Sequence, residues 1–299
     1  MRVIPLAANF ISILLVWFFL GLACSQSTSP PDRVGIALID FYPSWSAENN
    51  LIAFIHNRSL DTTDTDSSGI YVIKPDGTEK RLIYKDRFAN SVDWSPDGSK
   101  LIANGNERIV MISFPEVSVD TLTGIGEYWG LEWSPDGTQF AFAWRRGPER
   151  GIYIWDLAGD SLRLVAPYGN FVNWPYEDSL IYLDQSQPYP NVAIVISDTA
   201  GIFKRRIYTP NEDIIRSSVS AKLNVLTGRI IIEQQKAGEY SSIWKMNQNG
   251  AGAVKLRNYA MTPEFYSNGD SIIFSNIRED NGRLWIINWD DTGLRQLTH

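Results

Sequence analysis

Short apolar runs separated by polar turns are the dominant pattern of this chain. The run at residues 101–104 is followed by a turn and a second run at 109–114, and the runs at 140–144 and 152–155 repeat the plan. Runs of this length, rich in β-branched and aromatic residues and bounded by turn residues, predict β-strands. Because no long stretch of the body has a clean helical period, the pattern predicts an all-β fold.

A tight turn of nearly identical sequence occurs twice, as Trp-Ser-Pro-Asp-Gly at 94–98 and again at 133–137. Proline presets the backbone angle of the second turn position, aspartate accepts hydrogen bonds from nearby amides, and glycine takes the positive φ that closes the turn. Each copy is therefore interpreted as the hinge of a β-hairpin.

Aromatic residues mark a repeat of about forty residues, which is typical of four-stranded propeller blades. The aromatic anchors are Trp45, Trp94, Trp133, Trp174 and Phe265. The last gap is twice as long, and a degenerate unit fits there with residues 218–226 in place of the aromatic hinge. Turns at 74–78, 156–160, 198–202, 247–251 and 290–294 follow the third strands. The pattern thus predicts six units of four strands.

These repeats resemble the WD40-like repeats of the TolB family. The match rests on the turns at 94–98 and 133–137, on Ile-Tyr at 70–71 and 152–153, and on Leu-Thr at 297–298. The resemblance runs from about residue 40 to the end and implies a six-bladed β-propeller of four-stranded antiparallel blades. Two departures are clear: four blades lack the full turn motif, and the chain has no room for the α/β domain that precedes the TolB propeller. The resemblance therefore implies the fold without implying the specific role of TolB.

The first residues read as a bacterial lipoprotein signal. Arg2 precedes an apolar run at 3–23, and residues 20–24 resemble a lipobox that ends at Cys24, the single cysteine of the chain. We expect a signal peptide at 1–23, lipid attachment at Cys24, a Ser/Pro-rich tether at 24–32 and one propeller domain at 33–299. An incidental cysteine and an uncleaved membrane helix are the alternatives.

The expected location follows from that signal. Two or more acyl chains give stable anchoring, and Ser25 after the cysteine does not match retention in the inner membrane by analogy with enterobacterial sorting. We expect a monomer in the bacterial cell envelope, lipid-anchored in the outer membrane and facing the periplasm. An extra strand at 33–39 is expected to pair with the last blade and close the ring.

The charge balance argues against a nucleic-acid partner. The chain has 27 Lys and Arg against 34 Asp and Glu, a formal net charge of −7, which gives no broad phosphate-binding surface. Two basic clusters, Arg145-Arg146 with Arg150 and residues 204–206, are assigned to solvated turns or outer strands.

Catalytic motifs are sparse, and the sequence predicts no enzyme activity and no cofactor. The only histidines are His56 and His299, and no Gly-x-Ser-x-Gly motif occurs, which excludes the usual Ser-His-acid triad and zinc sites. The acidic loop at 61–69 resembles the start of a calcium loop but lacks its closing glutamate, so an exposed turn is the preferred interpretation. A metal-dependent hydrolase or lactonase with axial residues such as Glu264 or Asn173 is kept as an alternative.

The mouth of the axial channel is the candidate binding site. The segments that enter the inner strands open onto one end of a propeller, and aromatic residues with arginine suit a protein or peptide contact. The candidate residues are Phe41, Tyr42, Arg87, Phe88, Tyr128, Trp129, Tyr168, Asn170, Phe171, Arg216, Tyr259 and Met261. In TolB a lipoprotein partner docks at this end, so the resemblance implies a docking face for an envelope protein or peptide. Side chains turned into the blade interfaces and a glycan-binding module are the alternatives.

Overall fold

The protein is built from β-strands that group into six sheets of four. The structure is a computed structural model, and it describes residues 40–57, 68–105, 107–145, 149–187, 192–210, 219–278 and 282–299. Within these ranges every sheet is antiparallel, and its strands follow one another in chain order. The predicted all-β fold of six four-stranded antiparallel blades is confirmed.

The first three blades use half of the strands. Blade 1 contains β1 (Asp40–Ser46), β2 (Leu51–His56), β3 (Gly69–Ile73) and β4 (Arg81–Lys85). Blade 2 contains β5 (Ser91–Trp94), β6 (Lys100–Gly105), β7 (Arg108–Ser113) and β8 (Ser118–Thr121). Blade 3 contains β9 (Tyr128–Trp133), β10 (Gln139–Trp144), β11 (Gly151–Asp156) and β12 (Ser161–Pro167).

The remaining strands form blades 4 to 6. Blade 4 contains β13 (Gly169–Tyr176), β14 (Ser179–Asp184), β15 (Ala193–Asp198) and β16 (Lys204–Tyr208). Blade 5 contains β17 (Ser220–Asn224), β18 (Arg229–Gln235), β19 (Ser241–Asn247) and β20 (Val254–Asn258). Blade 6 contains β21 (Ala260–Tyr266), β22 (Ser271–Asn276), β23 (Arg283–Asn288) and β24 (Arg295–Gln296).

The anchor residues hold neighbouring blades together. Trp94 of blade 2 packs in the cluster that contains Ile70 and Val72 of blade 1, and Trp174 of blade 4 packs with Ile152 of blade 3. In blade 5 the aromatic residue is replaced by Leu223, which joins the core of blade 4. Large apolar side chains at this position bury the face that each sheet turns to its neighbour, as the repeat predicted.

The seam between blades 6 and 1 closes the ring. The ring of Trp45 in β1 meets that of Tyr266 in β21 edge to face, with centroids 4.7 Å apart. The amide of Asp40 donates to the carbonyl of Gly282 at 2.6 Å. All six apolar clusters lie between residues 41 and 297. The described part of the chain therefore contains a complete core.

The repeated turns have the predicted geometry. At 94–98 the carboxylate of Asp97 accepts hydrogen bonds from the amide of Ser99 and the hydroxyl of Ser95, and Gly98 has a φ of 67°. The turn at 133–137 repeats these contacts through Asp136. These local hydrogen bonds fix the hairpins that connect the inner strands to their neighbours.

Several predictions fall outside the described residues. They concern the signal peptide at 1–23, lipid attachment at Cys24, the tether at 24–32, the closing strand at 33–39, the acidic turn at 61–67 and Arg216. In the described part of blade 6 the fourth strand is β24, which pairs with β23. No helix long and apolar enough to cross a membrane is found in the described ranges.

Candidate functional site

A ring of six residues lines the channel at the same position of each repeat, directly before the anchor. The six are Ser44, Asp93, Glu132, Asn173, Lys222 and Glu264. Lys222 in blade 5 forms ion pairs with Glu132 in blade 3 and, at 2.8 Å, with Glu264 in blade 6. Blades 3 and 5 are not adjacent, so the pair spans the channel. The inner strands thus bring distant residues together at the axis.

The electrostatics of the ring are dominated by negative charge around one ammonium group. Burial opposes ionisation of Lys222, but Glu132, Glu264 and Asp93 outweigh it and raise the lysine pKa above its usual value. Burial also raises the pKa of Glu132 and of Asp93, against the attraction of Lys222. The raised pKa values of Glu132 and Asp93 favour their protonated forms beside the ammonium group of Lys222.

Hydrogen bonds from the ring connect one blade to the next. The hydroxyl of Ser44 donates to Asp93 at 2.8 Å, and Asp93 accepts from the amide of Trp133 at 2.9 Å. The side-chain amide of Asn173 donates to Glu132 at 3.2 Å, while its oxygen accepts from the amide of Leu223 at 3.0 Å. The ring therefore joins neighbouring blades by hydrogen bonds and also places charged groups at the axis.

A second layer lies two residues earlier in each inner strand and surrounds a cavity of about 70 Å³. Its members are Tyr42, Ser91, Gly130, Phe171, Ser220 and Thr262. Tyr42 and Phe171 belong to blades 1 and 4, which lie opposite each other in a six-membered ring, whereas the other four are small. The cavity is therefore flanked by two aromatic side chains, with the charged ring beneath it. This volume holds several water-sized groups.

Glu233, on the second strand of blade 5, also lines this cavity. Its carboxylate accepts a hydrogen bond from the amide of Thr262 at 2.8 Å. Burial raises the pKa of Glu233 to about 7, against the lowering effect of that amide and of the Ser241 hydroxyl. Burial and the charge of Glu233 together raise the pKa of Tyr42.

Arg145 directly follows β10, at the mouth end of blade 3. Its guanidinium lies 4.5 Å from the ring centroid of Trp129 and 6.0 Å from that of Phe171. It also lies 3.8 Å from the carboxylate of Glu127. Sequence analysis assigned Arg145 to a solvated basic cluster. The structure instead places it half-buried over two of the predicted aromatic residues.

Three predicted mouth residues lie inside the fold. Tyr128 is 2% exposed, packs against Phe142 at 5.6 Å and donates to the carbonyl of Gly124. Phe41 belongs to the core of blade 1, and Asn170 is buried. These side chains point sideways into the blades, the alternative raised for any aromatic residue of these segments, and they present no surface to a partner.

The other predicted residues within the described ranges lie apart from one another around the rim. Arg87 stacks on exposed Phe88 at 4.5 Å, and Tyr259 packs between Tyr240 at 5.0 Å and Arg278 at 5.2 Å. Tyr168 is exposed, and Met261 is half-buried. Of the predicted residues that the structure describes, only Tyr42, Trp129 and Phe171 converge near Arg145.

The charged ring was only partly anticipated from the sequence. Glu264 and Asn173 were named as possible axial ligands, but Asp93, Glu132 and Lys222 were not. The sequence did contain a signal for them, because a polar residue directly precedes every anchor. The repeat places that position on the innermost strand of each blade. Among the described residues no group of three or more His, Cys, Asp or Glu side chains is arranged to hold a metal ion.

Comparisons with known proteins support the fold. No protein-family model and no curated protein sequence matches the chain. Among solved structures, TolB from Acinetobacter baumannii is similar with a TM-score of 0.69 and 18% identity, over 81% of this chain and 62% of that one. A putative TolB from Agrobacterium tumefaciens has a TM-score of 0.61 and 18% identity, over 73% and 84%. An oligogalacturonate lyase from Vibrio parahaemolyticus has a TM-score of 0.55 and 13% identity, over 87% and 77%.

Proposed function

We propose that this chain is a non-catalytic scaffold of the bacterial cell envelope whose propeller binds a protein or peptide segment at its mouth. The observation that carries the proposal is that Arg145 lies against Trp129 and Phe171, beside the cavity that Tyr42 and Phe171 line. Aromatic and arginine side chains with an apolar body and polar tips are the usual energetic centres of such contacts.

Lipid attachment at Cys24 would hold the scaffold at the membrane, as the lipobox-like sequence predicts.

Site-specific crosslinking tests this function. A photoreactive amino acid at Trp129, in cells, is expected to capture a discrete partner that the same probe at Leu294 does not capture. Leu294 is an exposed apolar residue of the turn before β24, at the other end of the propeller. Trp129→Ala is expected to lower partner affinity about tenfold or more without lowering the melting temperature. Equal capture at both positions would remove the mouth as the binding face.

A metal-dependent hydrolase is the second candidate, since Asp93, Glu132, Glu264 and Asn173 belong to the same ring, although the described residues include no group of three or more carboxylates arranged to hold a metal ion. Lys222 lies among these side chains, where its ammonium group pairs with two of the carboxylates. Calorimetric titration with Ca²⁺ and Mn²⁺ separates the two functions. Binding that is lost in Glu132→Gln and Glu264→Gln would favour the hydrolase.

A further inference from the structure

The face of the propeller opposite the mouth carries exposed apolar side chains on two turns. Turns between first and second strands, and between third and fourth strands, lie at this end, which we call the lower face. Ile202 and Phe203 lie between β15 and β16 and are 84% and 61% exposed; Val225 and Leu226 lie between β17 and β18 and are 43% and 76% exposed. We call these four residues the blade 4/5 patch.

The two turns lie next to each other. Arg205 of β16 lines one surface depression together with Thr227 and Gly228 of the second turn. Arg205 is two residues after Phe203, and Thr227 directly follows Leu226, so both turns border this depression, which the four apolar side chains themselves do not line. The apolar side chains therefore protrude from two turns of the same face and do not form one continuous surface.

Hydrogen bonds hold both turns in place. The carboxylate of Asp198 accepts from the amides of Ile202 at 2.7 Å and Phe203 at 3.1 Å. The side-chain oxygen of Asn224 accepts from the amide and the hydroxyl of Thr227 at 3.0 and 2.9 Å. The backbone of the two turns that carry the exposed apolar side chains is therefore fixed by hydrogen bonds.

Positive charge surrounds the patch in a protein that is acidic overall. Lys204, Arg205 and Arg206 follow Phe203 directly and are exposed. Arg163 reaches the first turn, where its guanidinium donates to the carbonyl of Thr199 at 2.7 Å. Among the described residues, Arg205 and Arg206 have no ion pair, whereas Lys204 pairs with Asp184 at 3.4 Å.

The acidic residues near the patch balance these cations. Asp198 accepts from two turn amides, Asp184 pairs with Lys204, and the carboxylate of Asp178 accepts from the hydroxyl of Ser179. Glu177, exposed in the same turn as Asp178, is a fourth carboxylate. Four cations therefore meet four carboxylates here, whereas the whole chain has a net charge of −7.

We propose that the blade 4/5 patch docks on an anionic lipid bilayer, with Ile202, Phe203 and Leu226 entering the headgroup region and Arg205 and Arg206 contacting lipid phosphates. Apolar side chains that protrude singly from turns, beside free arginines, match the interfacial mode of membrane binding. A bilayer requires no shape complementarity, whereas a protein partner would require a continuous packed surface. Docking in this way leaves the mouth directed away from the lipid.

Vesicle sedimentation of residues 33–299 tests the proposal, because this part contains all six of the described apolar clusters and lacks the apolar run at 3–23 and Cys24. Binding is expected to vesicles of phosphatidylcholine with phosphatidylglycerol, to be weak with phosphatidylcholine alone, and to fall as salt is raised. Ile202→Ser with Phe203→Ser, and separately Arg205→Glu with Arg206→Glu, are each expected to weaken binding about tenfold or more.

The matched control is Ile125→Ser. Ile125 is 70% exposed and lies between β8 and β9, at the mouth end, so its removal is expected to leave vesicle binding unchanged. Leu226→Ser is a second test if the double variant fails to fold, and light scattering reports self-association. Equal binding by wild type and patch variants, no preference for the anionic lipid, or a dimer that the patch variants dissociate would overturn the proposal.

Discussion

Asp40 and Arg283 form an ion pair across the seam between blades 1 and 6, with Arg283 Nη1 3.3 Å from Asp40 Oδ2. His56 Nδ1 lies 2.6 Å from the other carboxylate oxygen, and the hydroxyl of Thr298 also donates to Asp40. The Asp40 side chain has no exposed surface. One aspartate therefore binds the first described strand to both the second strand of its own blade and the last blade.

Asp40→Asn is expected to destabilise the propeller by about 3 kcal/mol, because it leaves Arg283 without its buried partner and places an amide against His56. Chemical unfolding followed by tryptophan fluorescence measures the change. Asp160→Asn, at an exposed turn position, is the control and is expected to have little effect. Equal unfolding midpoints for the two variants would show that the seam does not depend on Asp40.

Acid is expected to open the same seam. Burial opposes ionisation of Asp40, but the hydrogen bonds from His56 and Thr298 and the charge of Lys80 outweigh it and lower the pKa below 3.8. A carboxyl with a lowered pKa adds stability above the pKa of the unfolded chain and loses it as the pH falls through the folded value. Unfolding free energies measured below pH 4 are expected to fall more steeply for wild type than for Asp40→Asn.

Glu233 is expected to act in the opposite direction. Because its pKa is raised to about 7, the folded state binds a proton that the unfolded chain releases near pH 4.5. Its contribution is fully present below that value and is lost as the pH rises to about 7, at up to about 1.4 kcal/mol per pH unit. Glu233→Gln is expected to flatten the wild-type decline in stability over this range. An unchanged decline would show that other groups cause it.

Lys222→Gln is expected to destabilise the protein more at pH 8 than at pH 5. Without the ammonium group, the ionised carboxylates of Asp93 and Glu132 repel each other, and their protonation at lower pH relieves the repulsion. Lys236→Gln is the control, since Lys236 is exposed and pairs with Glu239 at 3.7 Å at the surface. A pH-independent loss in Lys222→Gln would mean that packing, not charge, explains its role.

Two glycines with similar positive φ angles allow the cost of a steric clash to be measured separately from the cost of backbone strain. Gly250 and Gly238 have φ of 85° and 80°; a Cβ on Gly250 would lie 1.8 Å from the carbonyl of Ile207, while one on Gly238 meets nothing within 4 Å. Gly238→Ala is expected to cost about 1 kcal/mol from the positive φ alone. Gly250→Ala is expected to cost about 3 kcal/mol, because blade 5 must move away from blade 4. Similar melting temperatures would contradict this contact.

The fold could be predicted from the sequence because its signals are local and repeated. Trp94 and Trp133 each precede a turn whose Pro, Asp and Gly determine the backbone path, and the apolar runs that follow are buried on both faces. Prediction from local signals is less successful at Leu223, which occupies the anchor position of blade 5 but has no aromatic ring. Its role as the anchor is shown only by its packing in the core of blade 4.

The site could not be predicted to the same extent, because it is made by residues far apart in the chain. The direction of a side chain in a twisted, bulged strand decides whether it faces the channel or the neighbouring blade. Tyr128 and Trp129 are adjacent, yet one packs inside blade 3 and the other stacks on Arg145. By itself, the sequence determined the repeat, the number of strands and the turns. Only the arrangement of the blades around one axis decided that Glu132, Lys222 and Glu264 meet, because the pair of Glu132 with Lys222 joins blades 3 and 5, which are not neighbours.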